Sequence, residues 1–345
     1  MKKLLSVLMA LVLIMSVVGC TAQQEETSDN VQQQTPTEES QEEASEEQII
    51  AKISGLKGPT SIGMIKMFEE KPSLGENIAS TYQVAESPDI LVARLLSKEV
   101  DFAALPTNVA AKLYNKGAGY NLAAVNIWGV LYVMTQEDNI KDWKDLKGKT
   151  INAVAKGSTP DVVFRYLLEK NGLDPEKDVT LDYTLGHVEL AQSMSAGKIN
   201  MGVLPEPFVT NVGMKNEKAQ IALNLQDEWK KALGTETSYP QTCIVVREEF
   251  AQAHPEAVAR FLEELKKSID WVNANAVEAG VLVEKHEIGM TAKMAEAAIP
   301  RCNLRFEDAQ KAKEVVDEYL NVLFDYSPKD VGGKLPDENF YYYQK

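Results

Sequence analysis

The sequence predicts an α/β protein built from two βαβαβ lobes joined by two crossing strands, and three observations lead there. Two apolar runs, Asp101-Phe-Ala-Ala-Leu-Pro-Thr-Asn108 and Lys198-Ile-Asn-Met-Gly-Val-Leu-Pro-Glu-Pro-Phe208, read as buried strands that stop at Leu-Pro. Pro106 and Pro205 are 99 residues apart, and so are the turn glycines Gly58 and Gly157. Around these anchors strands alternate with amphipathic helices. Such alternation implies parallel sheets covered on both faces, because parallel neighbours need a crossover.

The first copy of the plan begins with a strand at residues 51–55 and a Gly58-Pro59-Thr60 turn. A helix follows to about Glu70, then a strand at 78–84, a helix from Pro88 and the strand that ends at Leu105-Pro106. The second copy has a strand at 150–154, a Gly157-Ser158-Thr159-Pro160 turn and a helix to Lys170. It continues with a strand at 179–184, a helix from Val188 and the strand that ends at Leu204-Pro205. Between the copies, 122–126 and 128–134 are β-rich and mark the crossing into the second lobe; Gln241–Val246 is the matching return. The expected divisions are residues 48–128 with 246–345 for the first lobe and 129–245 for the second. Helices are expected from Pro255 to about Ala279, over 291–298 and over 307–324, before an irregular tail pinned by Phe340 and its three tyrosines.

Residues 1–20 have a basic start, an apolar stretch from Leu4 to Val18, and Val17-Val18-Gly19-Cys20 at its end, which is a secretory signal too short to span a bilayer. The closing run resembles the lipobox of bacterial lipoproteins, which implies cleavage before Cys20 and a diacylglycerol on its sulfur. Residues 21–47 hold nine acids and no base, so they have little apolar surface to bury and are expected to form a disordered tether. Setting aside Lys2, Lys3 and these nine acids takes the formal net charge from −15 to −8. An acidic body argues against nucleic acid as a partner.

In open sheets of this kind ligands sit beyond the carboxyl ends of the strands, and two such edges facing each other make a cleft. Gly58, Pro59, Thr60 and Ser61 lie at one edge with Thr107 and Asn108. Gly157, Ser158, Thr159 and Glu206 lie at the other. Glycine lets backbone approach a bound group, and the first amides of the following helix, with hydroxyls beside them, can receive an anion or a polar carbonyl. The same residues also describe a well-capped helix, and Asp161 competes for its positive end. Glu206 either receives an ammonium, amide or ring N–H, or simply starts the next helix. Asn126 is a polar contact by location, and Trp128, Tyr132, Phe208 and Tyr239 stand where an aromatic ring could stack on a flat ligand. The three histidines, His187, His254 and His286, are not at ligand spacing, and no nucleophile, phosphate-loop or dinucleotide motif occurs. No catalytic residue, metal or cofactor is therefore expected. Cys243 and Cys302 are free to pair or to remain apart as far as spacing tells.

The lipobox, acidic tether, Gly58-Pro-Thr60, Asp101-Phe-Ala-Ala-Leu-Pro106, Asp145-Leu-Lys-Gly-Lys149, Gly157-Ser-Thr-Pro160 and Leu204-Pro-Glu-Pro207 together resemble the solute-binding lipoproteins of ABC importers. More narrowly they resemble the nitrate, sulfonate, taurine and bicarbonate family, which includes binders of thiamine pyrimidine precursors. The resemblance spans residues 49 to about 324. It implies a two-lobed type II periplasmic-binding-protein fold and a monomer held outside the cell membrane. It also implies a small organic solute, sulfonate- or pyrimidine-like, and an ABC permease with its cytoplasmic ATPase as partner. The implied ligand contacts are 58–61, Thr107, Asn108, 157–159 and Glu206. No basic residue stands in these turns, which disfavours a simple inorganic anion. The rival expectations are an enzyme on the same fold, of the menaquinone or thiamine-pyrimidine kind, and a solute-sensing module.

Overall fold

The computed structural model describes residues 48–343. The signal, Cys20 and the tether expected over 1–47 lie outside them. Among the described residues eleven strands run in chain order: β1 (Ile49–Leu56), β2 (Ile78–Ala85), β3 (Phe102–Pro106), β4 (Tyr120–Ile127), β5 (Leu131–Thr135), β6 (Thr150–Asn152), β7 (Thr180–Asp182), β8 (Met201–Pro205), β9 (Gln220–Asn224), β10 (Thr242–Arg247) and β11 (Leu304–Asp308). They form two sheets, ordered β11-β4-β10-β3-β1-β2 and β7-β6-β8-β5-β9.

In each sheet the three strands of the repeated plan are parallel, β2-β1-β3 in one and β7-β6-β8 in the other. One antiparallel strand lies beside each set: β10 against β3, and β5 against β8. These two are where the chain changes sheet. Gly129, at φ +76°, lies in the outward crossing between β4 and β5. The return comes earlier than the expected 245/246 boundary. β10 pairs with β3 and β4 from Thr242 onward, and Cys243 to Val246 are buried on both faces, so the chain is already back in the first sheet at Thr242.

Period-two alternation sorts the apolar side chains onto faces. Phe102, Ala104, Ile244 and Val246 join a core with the helices Ile65–Glu70, Pro255–Ala274 and Ala276–Lys285. Their neighbours Ala103, Leu105, Cys243 and Val245 face the other way. They join a core that continues through Leu131, Val133, Ile151 and Val203 of the second sheet. Tyr132, Met134 and Leu204 turn to a third core with the helices His187–Ser195 and Phe208–Lys215.

Two helical expectations change. The helix from Pro255 ends at Ala274, because Asn275 leaves helical dihedrals at φ −133° and a second helix, Ala276–Lys285, starts after it. The last long helix begins at Ala309, with Asp308 accepting from the Lys311 amide at 3.0 Å; residues 304–308 are strand β11 instead. That strand carries Arg305, Glu307 and Asp308 at a sheet edge, where charge is tolerated and hides the β pattern. Among the described residues no helix is long and apolar enough to cross a membrane.

Candidate functional site

The first sheet's carboxyl edge is built by turns that tie back to their own strands. Gly58, at φ +91°, donates its amide to Ile288 O (2.8 Å) and lets Pro59 start the short helix Pro59–Ile62. Ser61 is fully buried and donates its hydroxyl to Leu56 O (2.7 Å), closing the turn on β1. Thr60 O accepts from Asn126 Nδ2 (3.4 Å), and Asn126 Oδ1 accepts from the Thr242 hydroxyl (2.7 Å). Asn126, near the end of β4, thus ties β10 to the short helix that follows β1. Beyond β3, the Thr107 amide donates to Gln241 O (3.2 Å), and Asn108 Nδ2 donates to Asp330 O (3.4 Å).

At the second sheet's edge Gly157, at φ +76°, donates its amide to Asp161 Oδ2 (2.7 Å). The expected competition from Asp161 is therefore realised. Asp161 is buried and also receives Arg165 Nε (2.8 Å) and the Tyr183 hydroxyl. Ser158 does not cap the helix Thr159–Lys170 and instead donates its hydroxyl to Ala155 O (2.6 Å). Thr159 Oγ1 accepts from the Tyr319 hydroxyl at 3.4 Å, a link between the second lobe and the C-terminal helix Ala309–Tyr326.

Glu206 has a wholly buried side chain whose two oxygens are both occupied. Oε2 accepts from the Thr210 amide (3.1 Å) and hydroxyl (2.7 Å), which starts the helix Phe208–Lys215. Oε1 accepts from Arg301 Nε, while Arg301 Nη2 reaches the Thr210 hydroxyl and Ala297 O. This acid therefore begins a helix, and the cation it receives belongs to the protein. Arg301 comes from the segment after the helix Ala292–Ala298, which packs in the first sheet's core, so the ion pair bridges the lobes. Arg301 and Thr210 were invisible to sequence reasoning, since nothing local in Pro300-Arg301-Cys302 marks a partner 95 residues earlier.

The aromatic candidates are held by the protein itself. Trp128 donates its indole N–H to Arg305 O (3.0 Å) under the Arg305 guanidinium, 4.2 Å from the ring. The Tyr132 hydroxyl donates to Arg301 O (2.9 Å). Tyr239 is fully buried, donates to Gln226 Oε1 (3.0 Å), and packs edge-on to Trp229 and stacked on Tyr319. Phe208 stacks on His187, whose burial holds its pKa below the usual imidazole value. Cys243 and Cys302 are both free and buried in different cores, and burial pushes the Cys243 thiol up to about 12. Neither thiol is poised as a nucleophile. A hollow of about 360 Å³, lined by Met134, Val209, Thr210, Met214, Ile221 and Arg301, flanks the bridging ion pair. A larger one of about 910 Å³ lies away from both strand edges, along the helix Pro255–Ala274.

The strand order and the two-way crossing can now be set beside known proteins. Residues 74–284 match the family described as "ABC transporter, phosphonate, periplasmic substrate-binding protein". The chain belongs to this family. Among solved structures, an ABC transporter protein from Parabacteroides distasonis is 30% identical, with 86% of this chain and 99% of that chain covered and a TM-score of 0.73. The aliphatic sulphonate binding protein SsuA of Escherichia coli shares the fold at TM-score 0.65 and 14% identity, with 86% of this chain and 92% of that one covered. The nitrate/nitrite binding protein NrtA of Synechococcus elongatus is 24% identical over 200 residues, 56% of this chain and 42% of its own. This family member spans 38% to 64% of the lengths of the curated relatives it matches. Its two-lobed α/β architecture is the one expected from the sequence, and it is shared with periplasmic binding proteins.

Proposed function

We propose that this protein is the extracytoplasmic, lipid-anchored substrate-binding component of an ABC importer. It takes a small organic solute into the cleft between its lobes and hands it to the permease. The observation that supports this most lies at the carboxyl edge of the second sheet, where buried Glu206 and Thr159 each meet a side chain from the C-terminal part of the chain, Arg301 and Tyr319. The lobes are joined by two crossings and touch through Arg301–Glu206 and Tyr319–Thr159. A solute that contacts both lobes favours the closed arrangement in which those bridges form, and a permease can select that arrangement. With Glu206 already matched by Arg301, a cationic solute finds no free carboxylate there.

Mass spectrometry of small molecules released by denaturing gently purified protein is the direct test. A stoichiometric sulfonate-, phosphonate- or pyrimidine-like solute is expected. No released solute, followed by no stabilisation by any compound of those classes in a thermal-shift screen, would count decisively against the proposal. For the anchor, Cys20→Ala is expected to move the protein from the membrane fraction to the soluble extracytoplasmic fraction. Unchanged membrane retention would rule out lipid on that residue.

A further inference from the structure

On the side facing away from β10, β4 has two short partners, and a groove opens where they part. β11 pairs with Ile127, Val125 and Ala124, the last of these with Asp308, and the chain then turns into the helix Ala309–Tyr326. Leu122 pairs instead with Tyr341, and the Tyr342 amide donates to Leu122 O (2.8 Å). Ala123, left between the two partners, lines the hollow of about 910 Å³. That hollow follows the outward stripe of the helix Pro255–Ala274, where residues 256, 259, 260, 263 and 266 recur at helical spacing. A second hollow, of about 700 Å³, shares Glu256, Ala259 and Tyr342 with the first and extends it past the start of that helix.

The two halves of this groove differ in charge. In the first, the bases are spent on neighbouring acids: Arg260 on Glu263 (3.0 Å) and Glu264 (2.8 Å), Lys266 on Asp270 (3.4 Å) and Lys311 on Asp308 (2.7 Å). The second half is lined by Glu248 and Glu256 and, among the described residues, by no base. Glu248 receives the Gln252 side-chain amide (3.2 Å), and Glu256 has no ion-pair partner among the described residues. Three consecutive tyrosines line the same half; Tyr341 is buried, Tyr342 half-buried and Tyr343 44% exposed. Tyr341 already has a cation over its ring, Lys313 Nζ at 5.3 Å from the centroid.

Carboxylates without a counter-ion, set beside aromatic rings, attract ammonium and guanidinium groups both by charge and through the ring quadrupole. An anionic lipid surface or an acidic peptide is repelled by the same two carboxylates. Two hollows end to end hold more than one side chain, and Leu262, Phe306 and Ala251 offer apolar surface along their length. We propose that this groove docks an extended basic segment of a partner protein. A lysine or arginine of that segment sits among Glu248, Glu256 and Tyr343, and its apolar side chains lie over Ala123 and Phe306. The groove lies away from both carboxyl edges, so this docking is a property separate from solute binding and does not depend on it.

The test uses the full chain and three probes: a fluorescent octapeptide alternating valine with lysine, its counterpart alternating valine with glutamate, and free arginine amide. The lysine peptide is expected to bind, and to bind more weakly as salt is raised. Glu248→Gln together with Glu256→Gln should weaken it about tenfold, and Tyr343→Ala about threefold. Both acids also lie in the first turn of a helix, so the double variant should melt slightly lower. A role confined to the helix ends would give that melting shift with peptide binding unchanged, and would overturn the docking site. Equal binding of the two peptides, or none of the lysine peptide, would overturn it as well. Displacement of the peptide by an equal concentration of arginine amide would mean a site for free cations instead of a segment. Self-association in sedimentation that the double variant abolishes would give the groove to a second copy of this chain, and the separate partner would fall.

Discussion

Arg301→Ala is expected to destabilise the protein by about 3 kcal/mol, measured by urea denaturation. The side chain of Glu206 has no exposure, and removing the guanidinium leaves its charge with only the Thr210 amide and hydroxyl. Breaking a buried pair from one side typically costs about 3–5 kcal/mol. The lower end applies because the Arg301 side chain is 37% exposed and water can enter after it. Glu206→Gln should cost less, since an amide keeps an acceptor for Thr210 and leaves no charge behind. The partners belong to different lobes, so the loss should also appear as a larger radius of gyration for the ligand-free protein in solution scattering. An Arg301→Ala variant within about 0.5 kcal/mol of the wild type would mean the pair contributes nothing beyond a solvated contact.

Gly129→Ala should cost at least as much, about 3–4 kcal/mol, from two sources that can be separated. The backbone at φ +76° strains any L side chain, and a Cβ would stand 2.5 Å from Gln226 Cγ, 2.9 Å from Tyr239 Cζ and 3.1 Å from Ser238 Oγ. None of these can step aside freely: Gln226 is held by the Leu131 amide, and Tyr239 is buried between Trp229 and Tyr319. Gly157→Ala is the control. It has the same φ of +76° with nothing within 4 Å of the added atom, so it should show the backbone part alone, about 1 kcal/mol. Equal melting temperatures for the two variants would refute the crowding at the crossing.

Much of the architecture was legible because it is periodic and repeated. Two copies of one strand-helix plan, each closed by Leu-Pro, leave marks at the same spacing, and buried parallel strands are apolar throughout. β11 was not legible, because an edge strand as charged as Leu304–Asp308 has no apolar alternation to show. The turns at the strand ends were legible as backbone features, whereas the partners of their side chains were not. Gly58, Gly157 and Asp161 act as their types suggest, whereas Ser61, Asn108 and Asn126 proved to be engaged by main-chain or side-chain partners of the protein. Tyr239 was placed near the crossing, but as a core residue bonded to Gln226, not as an open stacking surface. Arg301, Gln226 and Trp229 were missed for one reason: each matters through residues distant in sequence, and such pairings leave no local pattern.

The position of β10 has a consequence for how the chain is made. Because β10 lies between β3 and β4, those two strands never touch as neighbours, and the centre of the first sheet is empty until Thr242 has been synthesised. Everything from β5 to β9 must therefore be accommodated as an insertion while β3 carries an unpaired edge. Long-range closure of this kind is slow, and an apolar strand with an open edge invites association with other chains. During synthesis the vulnerable species is thus a half-built first lobe, and the step that ends the danger is the arrival of one strand, Thr242–Arg247.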